Sequence, residues 1–181
     1  MPDRVLFAAL LLTVLTASYT DLRDHRVPNV LTLIALAAAF AMHAFFGGWH
    51  GLGASTLGAL TGFACFLPFY MFRGMGAGDV KLLAAVGAFI EPSGAFYAAL
   101  FSLLAGGATA FIYVAWRALR TSVPSFMQDG MAMAGASALV EAKLARRDRL
   151  PFAVPIAIGS LAAYAYLIIQ GDGAWPLKIF H

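Results

Sequence analysis

The sequence predicts an all-α, polytopic membrane protein of about six transmembrane helices with a glycine-rich loop before the fourth. Three observations carry that prediction. Hydrophobic residues make up 61% of the chain and charged residues only 12%, about half the usual share of charge in a soluble domain. The apolar runs come near the roughly 20 residues needed to cross hydrocarbon. Positive charges gather in alternate connections, as they do when one side of a membrane retains them.

Six apolar segments follow one another: 5–20, 27–46, 52–72, 80–90, 96–116 and 150–169. The first has a short apolar core followed by small residues, as a secretory signal does. Asp3 cancels Arg4, however, so the charged leader of such signals is missing and a retained span is expected. Pro28 suits the first turn of the second helix, where a missing N–H costs nothing. FGGWHG (46–51) and EPSG (91–94) are turn signals, and Pro92 is expected to end the fourth helix. That fourth segment is short; at 1.5 Å per residue it spans only about half of the hydrocarbon. Either the glycines before it enter the membrane, or its neighbours shelter it. Residues 121–148 form a longer polar connection, within which 127–149 can make a surface helix. The 181 residues are expected to form one transmembrane domain, with 117–149 as a cytoplasmic loop.

Nine cations fall in loops 21–26, 73–79 and 117–149: Arg23, Arg26, Arg73, Arg117, Arg120, Lys143, Arg146, Arg147 and Arg149. The other side holds Arg4 and Lys178. The bias predicts that these loops are cytoplasmic and that both termini are periplasmic.

Under this topology Asp21 closes the first helix and Asp79 opens the fourth, at the same depth. Asp24, Asp129, Glu141 and Asp148 belong to solvated loops, and Asp3, Glu91 and Asp172 fall on the outer side. Two neighbouring carboxylates do not both ionise readily, so such a pair shares a proton. The ionised member can activate water as a general base. The protonated member can polarise a peptide carbonyl and then serve the leaving nitrogen. Gly76 and Gly78 flank Ala77, which gives the backbone before Asp79 access to left-handed conformations. An extended substrate can then hydrogen-bond there by strand addition.

Each feature alone has a plainer explanation. Asp79 suits a helix N-cap, Asp21 can pair with Arg23 or Arg26, and glycines serve close helix packing. Lys81 reads as an interfacial anchor. His25 reads as solvated, while His43 and His50 have no partner at metal-ligand spacing. Met127, Met131 and Met133 read as an apolar face. The single Cys65 lies in an apolar run, so no disulfide forms within the chain. The two aspartates at one depth, beside a glycine loop, favour function over these explanations.

The segments TDLRDHRVPNVLTL (20–33), GAGDVKLLAAVGAF (76–89) and LPFAVPIAIG (150–159) resemble, in that order, the type IV prepilin peptidases. These are intramembrane aspartic proteases of the GxGD kind, and the likeness is to the short branch serving Flp-type (tight-adherence) pili. The resemblance implies that Asp21 and Asp79 are catalytic and that Asp24 is not. Gly76, Ala77 and Gly78 would form the active-site loop, with Arg23, Pro28, Asn29 and Lys81 in support. It implies removal of a short basic leader from prepilins at the cytoplasmic face of the bacterial inner membrane. The partners implied are the prepilin, the lipid bilayer and the pilus assembly machinery, without nucleic acid, metal or cofactor. Long members carry an extra domain with paired cysteines and also methylate the new N-terminus. This chain has one Cys and no room for that domain, so methyl transfer is not expected. LPFAVPIAIG departs from the pattern, with Ala153 where a glycine is expected. Two other classes are a non-catalytic assembly factor and a proton- or cation-coupled transporter. The transporter predicts acids near the midplane, whereas here they sit at one face.

Overall fold

The first helix, α1 (Pro2–Asp24), shows how the chain sorts its residues. Leu6, Leu10, Val14, Ala17 and Asp21 are buried; their spacing of four, four, three and four puts them on one stripe of the helix. Leu12, Leu15, Tyr19 and Leu22 point outward and are more than half exposed. An apolar outer surface of this kind suits lipid, and the threonine hydroxyls within the helix are satisfied without water. Thr13, Thr16 and Thr20 donate to the carbonyls of Ala9, Leu12 and Thr16, as expected where no solvent can serve them.

A computed structural model describes residues 2–24, 27–72, 75–120 and 152–169. Three further helices follow α1: α2 (Asn29–Met71), α3 (Ala77–Arg120) and α4 (Ala153–Ile169). Among the described residues four continuous helical runs and no strand are present, and two of those runs carry an internal bend. The expected second and third segments are joined in α2, and the fourth and fifth in α3. The reason is that each turn is made by a single residue. Gly48 (φ 59°, ψ −143°) bends α2, and Glu91 (φ 60°, ψ 179°) bends α3. Pro92 does not end its helix. It begins the stretch after the bend, where its missing N–H is tolerated. Pro28 likewise precedes α2 in extended backbone (φ −62°, ψ 131°) instead of lying in its first turn.

The contacts show that α2 doubles back at Gly48. In its first part Asn29 lies beside Lys81 and His43 beside Phe89, so that part runs with α3. In its second part Ser55 donates to the Ala88 carbonyl and Gly62 faces Leu83, so this part runs against α3. The start of α3 lies between them, and Val80, Leu82, Leu83, Ala85, Val86, Ala88, Phe89 and Ile90 are all buried. A helix apolar on every side needs cover on every side. The short fourth segment is thus sheltered by its neighbours. Beyond Glu91, Gly94 meets Leu167, Ser102 meets Gly159 and Gly106 meets Phe152, so α3 between Gly94 and Gly106 runs antiparallel to α4. Phe7 stacks on Tyr164 with ring centroids 4.2 Å apart, which packs α1 along α4.

By length and composition, α1 from Arg4, all of α2 and α3 as far as Ile112 are long and apolar enough to cross a membrane. The apolar α4 is 17 residues long. Residues 1–106 and 151–181 form one compact unit, and 107–150 a second. The described part of the second unit is the end of α3, residues 107–120. The expected polar connection 121–148 and its surface helix lie outside the described residues, as do His25 and Arg26.

Candidate active site

Asp21 continues the inward stripe of α1 and is 6% exposed, whereas Arg23 and Asp24 leave that stripe and are exposed. Burial would be costly for a carboxylate without a donor. The donor is the backbone N–H of Ala153, at the first residue of α4, which gives its hydrogen bond to Asp21 Oδ2 at 3.0 Å.

Asp79 arrives from α3. The helix begins at Ala77, so Asp79 stands in its first turn, where a carboxylate is favoured by the free N–H groups. Its Oδ2 accepts a hydrogen bond from the Gly76 N–H at 3.2 Å, while its own N–H donates to the Gly76 carbonyl at 3.2 Å. This is the back-reaching half of a capping box. The Asp79 side chain is half-buried, and Asp21 lies close enough to act on it electrostatically. Residues 58 positions apart in sequence, the difference between 79 and 21, thus come within electrostatic reach of each other from two helices.

The glycines work differently from the expectation. Neither Gly76 nor Gly78 has positive φ; among the described residues, Gly48 is the glycine that does. Ala77 and Gly78 already belong to the helix, so no extended loop precedes Asp79 at these positions. What both glycines supply is space. A Cβ on Gly76 would stand 3.2 Å from Asp79 Oδ2, and one on Gly78 would stand 3.3 Å from the Val27 Cβ. Both distances are tighter than ordinary contact.

The supporting residues divide. Lys81 Nζ donates to Asn29 Oδ1 at 3.0 Å and ties the starts of α2 and α3 together at an exposed edge. Pro28 sets the extended entry to α2, and its carbonyl accepts from the N–H groups of Leu31 and Thr32. Arg23 is exposed in the last turn of α1.

Sequence reasoning missed a second polar pair. Glu91 was expected in an outer turn, and His43 without a partner at metal-ligand spacing. Both are 1% exposed, with His43 Nδ1 3.9 Å from Glu91 Oε1. His43 Nε2 donates to the Phe89 carbonyl at 3.2 Å, and Glu91 Oε1 has no hydrogen-bond partner. Among the described residues no third metal-ligating side chain joins them. The pair stands apart from the aspartates: Glu91 lies twelve positions along the helix from Asp79, about 18 Å along the axis. The available signal was an acid placed directly before Pro92, at the end of an apolar run. A charge there costs too much to be left without a partner.

Comparison with known proteins agrees with the motif reading. Over 166 residues, 90% of its length, the chain is 30% identical to a prepilin leader peptidase/N-methyltransferase of Bacillus subtilis (strain 168). It spans about half the length of that curated relative, 54%. No solved structure matches. The model of the type IV leader peptidase family matches residues 8–111, a stretch that holds both Asp21 and Asp79. On that match, this chain belongs to the type IV leader peptidase family.

Proposed function

We propose that the protein is an intramembrane aspartic endopeptidase that removes the short basic leader of Flp-type prepilins at the cytoplasmic face of the inner membrane. One observation carries the proposal within the family. Asp21 and Asp79, from separate helices, lie within electrostatic reach of each other, each with one oxygen held by a backbone N–H. In the proposed cycle one carboxyl is ionised and the other protonated. The ionised member takes a proton from water as the oxygen attacks the scissile carbonyl. The protonated member gives its proton to the carbonyl oxygen, forming a tetrahedral diol. Collapse of the diol breaks the C–N bond, and a carboxyl proton passes to the leaving amine. Asp24, exposed at the end of α1, takes no part in the chemistry.

The partners in this reading are the prepilin, the bilayer and the pilus machinery, and the unit doing the work is a single transmembrane domain. The loop-cation bias supports a cytoplasmic location for residues 21–26, 73–79 and 117–149 and periplasmic termini. The test uses purified protein in detergent with a candidate prepilin, followed by detection of the shortened product. Asp21→Asn and Asp79→Asn are each expected to abolish cleavage while the protein still accumulates, because Asn fills the space without shuttling a proton. Asp24→Asn is expected to retain most activity. Residual activity within tenfold of the parent in either dyad variant would remove the mechanism. Loss in Asp24→Asn as complete as in the others would mean that the wrong carboxylate has been chosen.

A further inference from the structure

The start of α4 carries no cap of its own. The residues immediately before it, Leu150, Pro151 and Phe152, offer no side-chain oxygen, although a helix start leaves several N–H groups unsatisfied. Two side chains of α1 supply what is missing. Asp21 Oδ2 accepts from the Ala153 N–H at 3.0 Å, and Ser18 Oγ donates to the Ala153 carbonyl at 3.4 Å. Ser18 and Asp21 are three residues apart, one turn of helix, so one face of α1 grips both polar groups of a single peptide residue. Ala153 is itself fully buried. The two helices are also joined further along by the Phe7–Tyr164 stack.

We infer that Ala153 is a positioning residue for the reaction: its backbone N–H holds Asp21 Oδ2 and thereby leaves Oδ1 as the oxygen that acts on water. This rests on the reading of Asp21 as a member of the dyad. The arrangement parallels that at Asp79, where the Gly76 N–H holds Oδ2. Each carboxylate is tethered through one oxygen by a main-chain donor, which has no rotamer freedom to lose. The late segment LPFAVPIAIG thus serves the site through its backbone. That explains why an alanine suffices at a position where the family resemblance leads one to expect a glycine.

The contact can be removed one atom at a time. Proline is accepted at the first position of a helix, so Ala153→Pro deletes the N–H and sets Cδ where the hydrogen bond ran. Misplacement of a catalytic group by about an ångström costs up to a hundredfold in rate. The full-length protein in detergent is assayed on a peptide covering a prepilin leader and the first apolar residues of the pilin. Ala153→Pro is expected to lower kcat by about ten- to a hundredfold with KM within about twofold. Ala153→Gly, which keeps the amide, is expected to stay at least about fivefold above Ala153→Pro in kcat. Hydrogen exchange gives a readout that needs no activity: Asp21→Ala is expected to speed exchange of the Ala153 amide by about tenfold or more. A parental kcat in Ala153→Pro, a loss confined to KM, or equal loss in the glycine variant overturns the inference. So does parental exchange in Asp21→Ala, which alone decides if the proline variant does not accumulate. Asp21→Asn is run alongside. If it cleaves normally the dyad reading fails, whereas its inactivity beside a fully active Ala153→Pro defeats the positioning inference alone.

Discussion

Replacing Gly58 by alanine tests how closely α2 and α3 approach. Gly58 is buried where the second part of α2 crosses the start of α3. A Cβ there would strike the Gly87 carbonyl oxygen and lie 2.8 Å from the Glu91 Cα. Both are backbone atoms, so neither can swing aside as a side-chain tip would. Ordinary contact begins near 3.4 Å, so the helices must part by on the order of an ångström along a tightly packed seam. Overpacking of this kind costs about 1–3 kcal/mol. Against it stands the helix-propensity gain of Gly→Ala, about 1 kcal/mol. The net expectation is a loss of about 0–2 kcal/mol from those two terms. Gly53 supplies the control. It lies in the same helix, is exposed, and has nothing within 4 Å of its would-be Cβ. Gly53→Ala takes the propensity gain without the collision, so the two variants should differ by about 1–3 kcal/mol in favour of Gly53→Ala. Denaturant unfolding of both in the same detergent, followed by circular dichroism, measures the difference. Coincident unfolding curves would refute the seam.

Two further expectations concern the site and its orientation. Gly78→Val should lower cleavage severely by driving a β-branched side chain against Val27 and displacing the turn that carries Asp79; turnover equal to the parent would show that this contact yields without consequence. For topology, single cysteines at Ser125 and Trp49 on a background with Cys65 replaced are treated in intact cells with a membrane-impermeant maleimide. Trp49, 87% exposed at the bend of α2, should label and Ser125 should not, if the loop-cation bias keeps 117–149 in the cytoplasm as proposed. Labelling of Ser125 from outside would put the aspartates on the wrong face for a leader that stays in the cytoplasm.

The membrane class, the apolar helices and the two aspartates are all legible in the chain, because each depends on composition or on local period. Asp21 shows this best. Its place on the Leu6–Leu10–Val14–Ala17 stripe can be counted off the sequence, and the same count sends Arg23 and Asp24 outward. The glycines are legible as glycines but not as to purpose. Left-handed freedom and close approach leave the same letter in the sequence, and the packing of Val27 on Gly78 separates them only once α2 and α3 are side by side.

What the order of residues specified was therefore local: where the chain is apolar enough for helix in lipid, where it bends, and which carboxylates end up at a helix terminus. The pairings that bring distant positions together came from the tertiary structure. His43 reaches Glu91 because the first part of α2 runs alongside the start of α3. Asp21 finds its donor 132 positions away at Ala153 because α1 packs along α4. Neither contact has a periodic signature, since hydrogen bonding depends on where helix axes cross, and that is decided by backbone approach summed over the whole seam. A buried carboxylate announces only that it needs a partner; the packing of the helices decides which partner it gets.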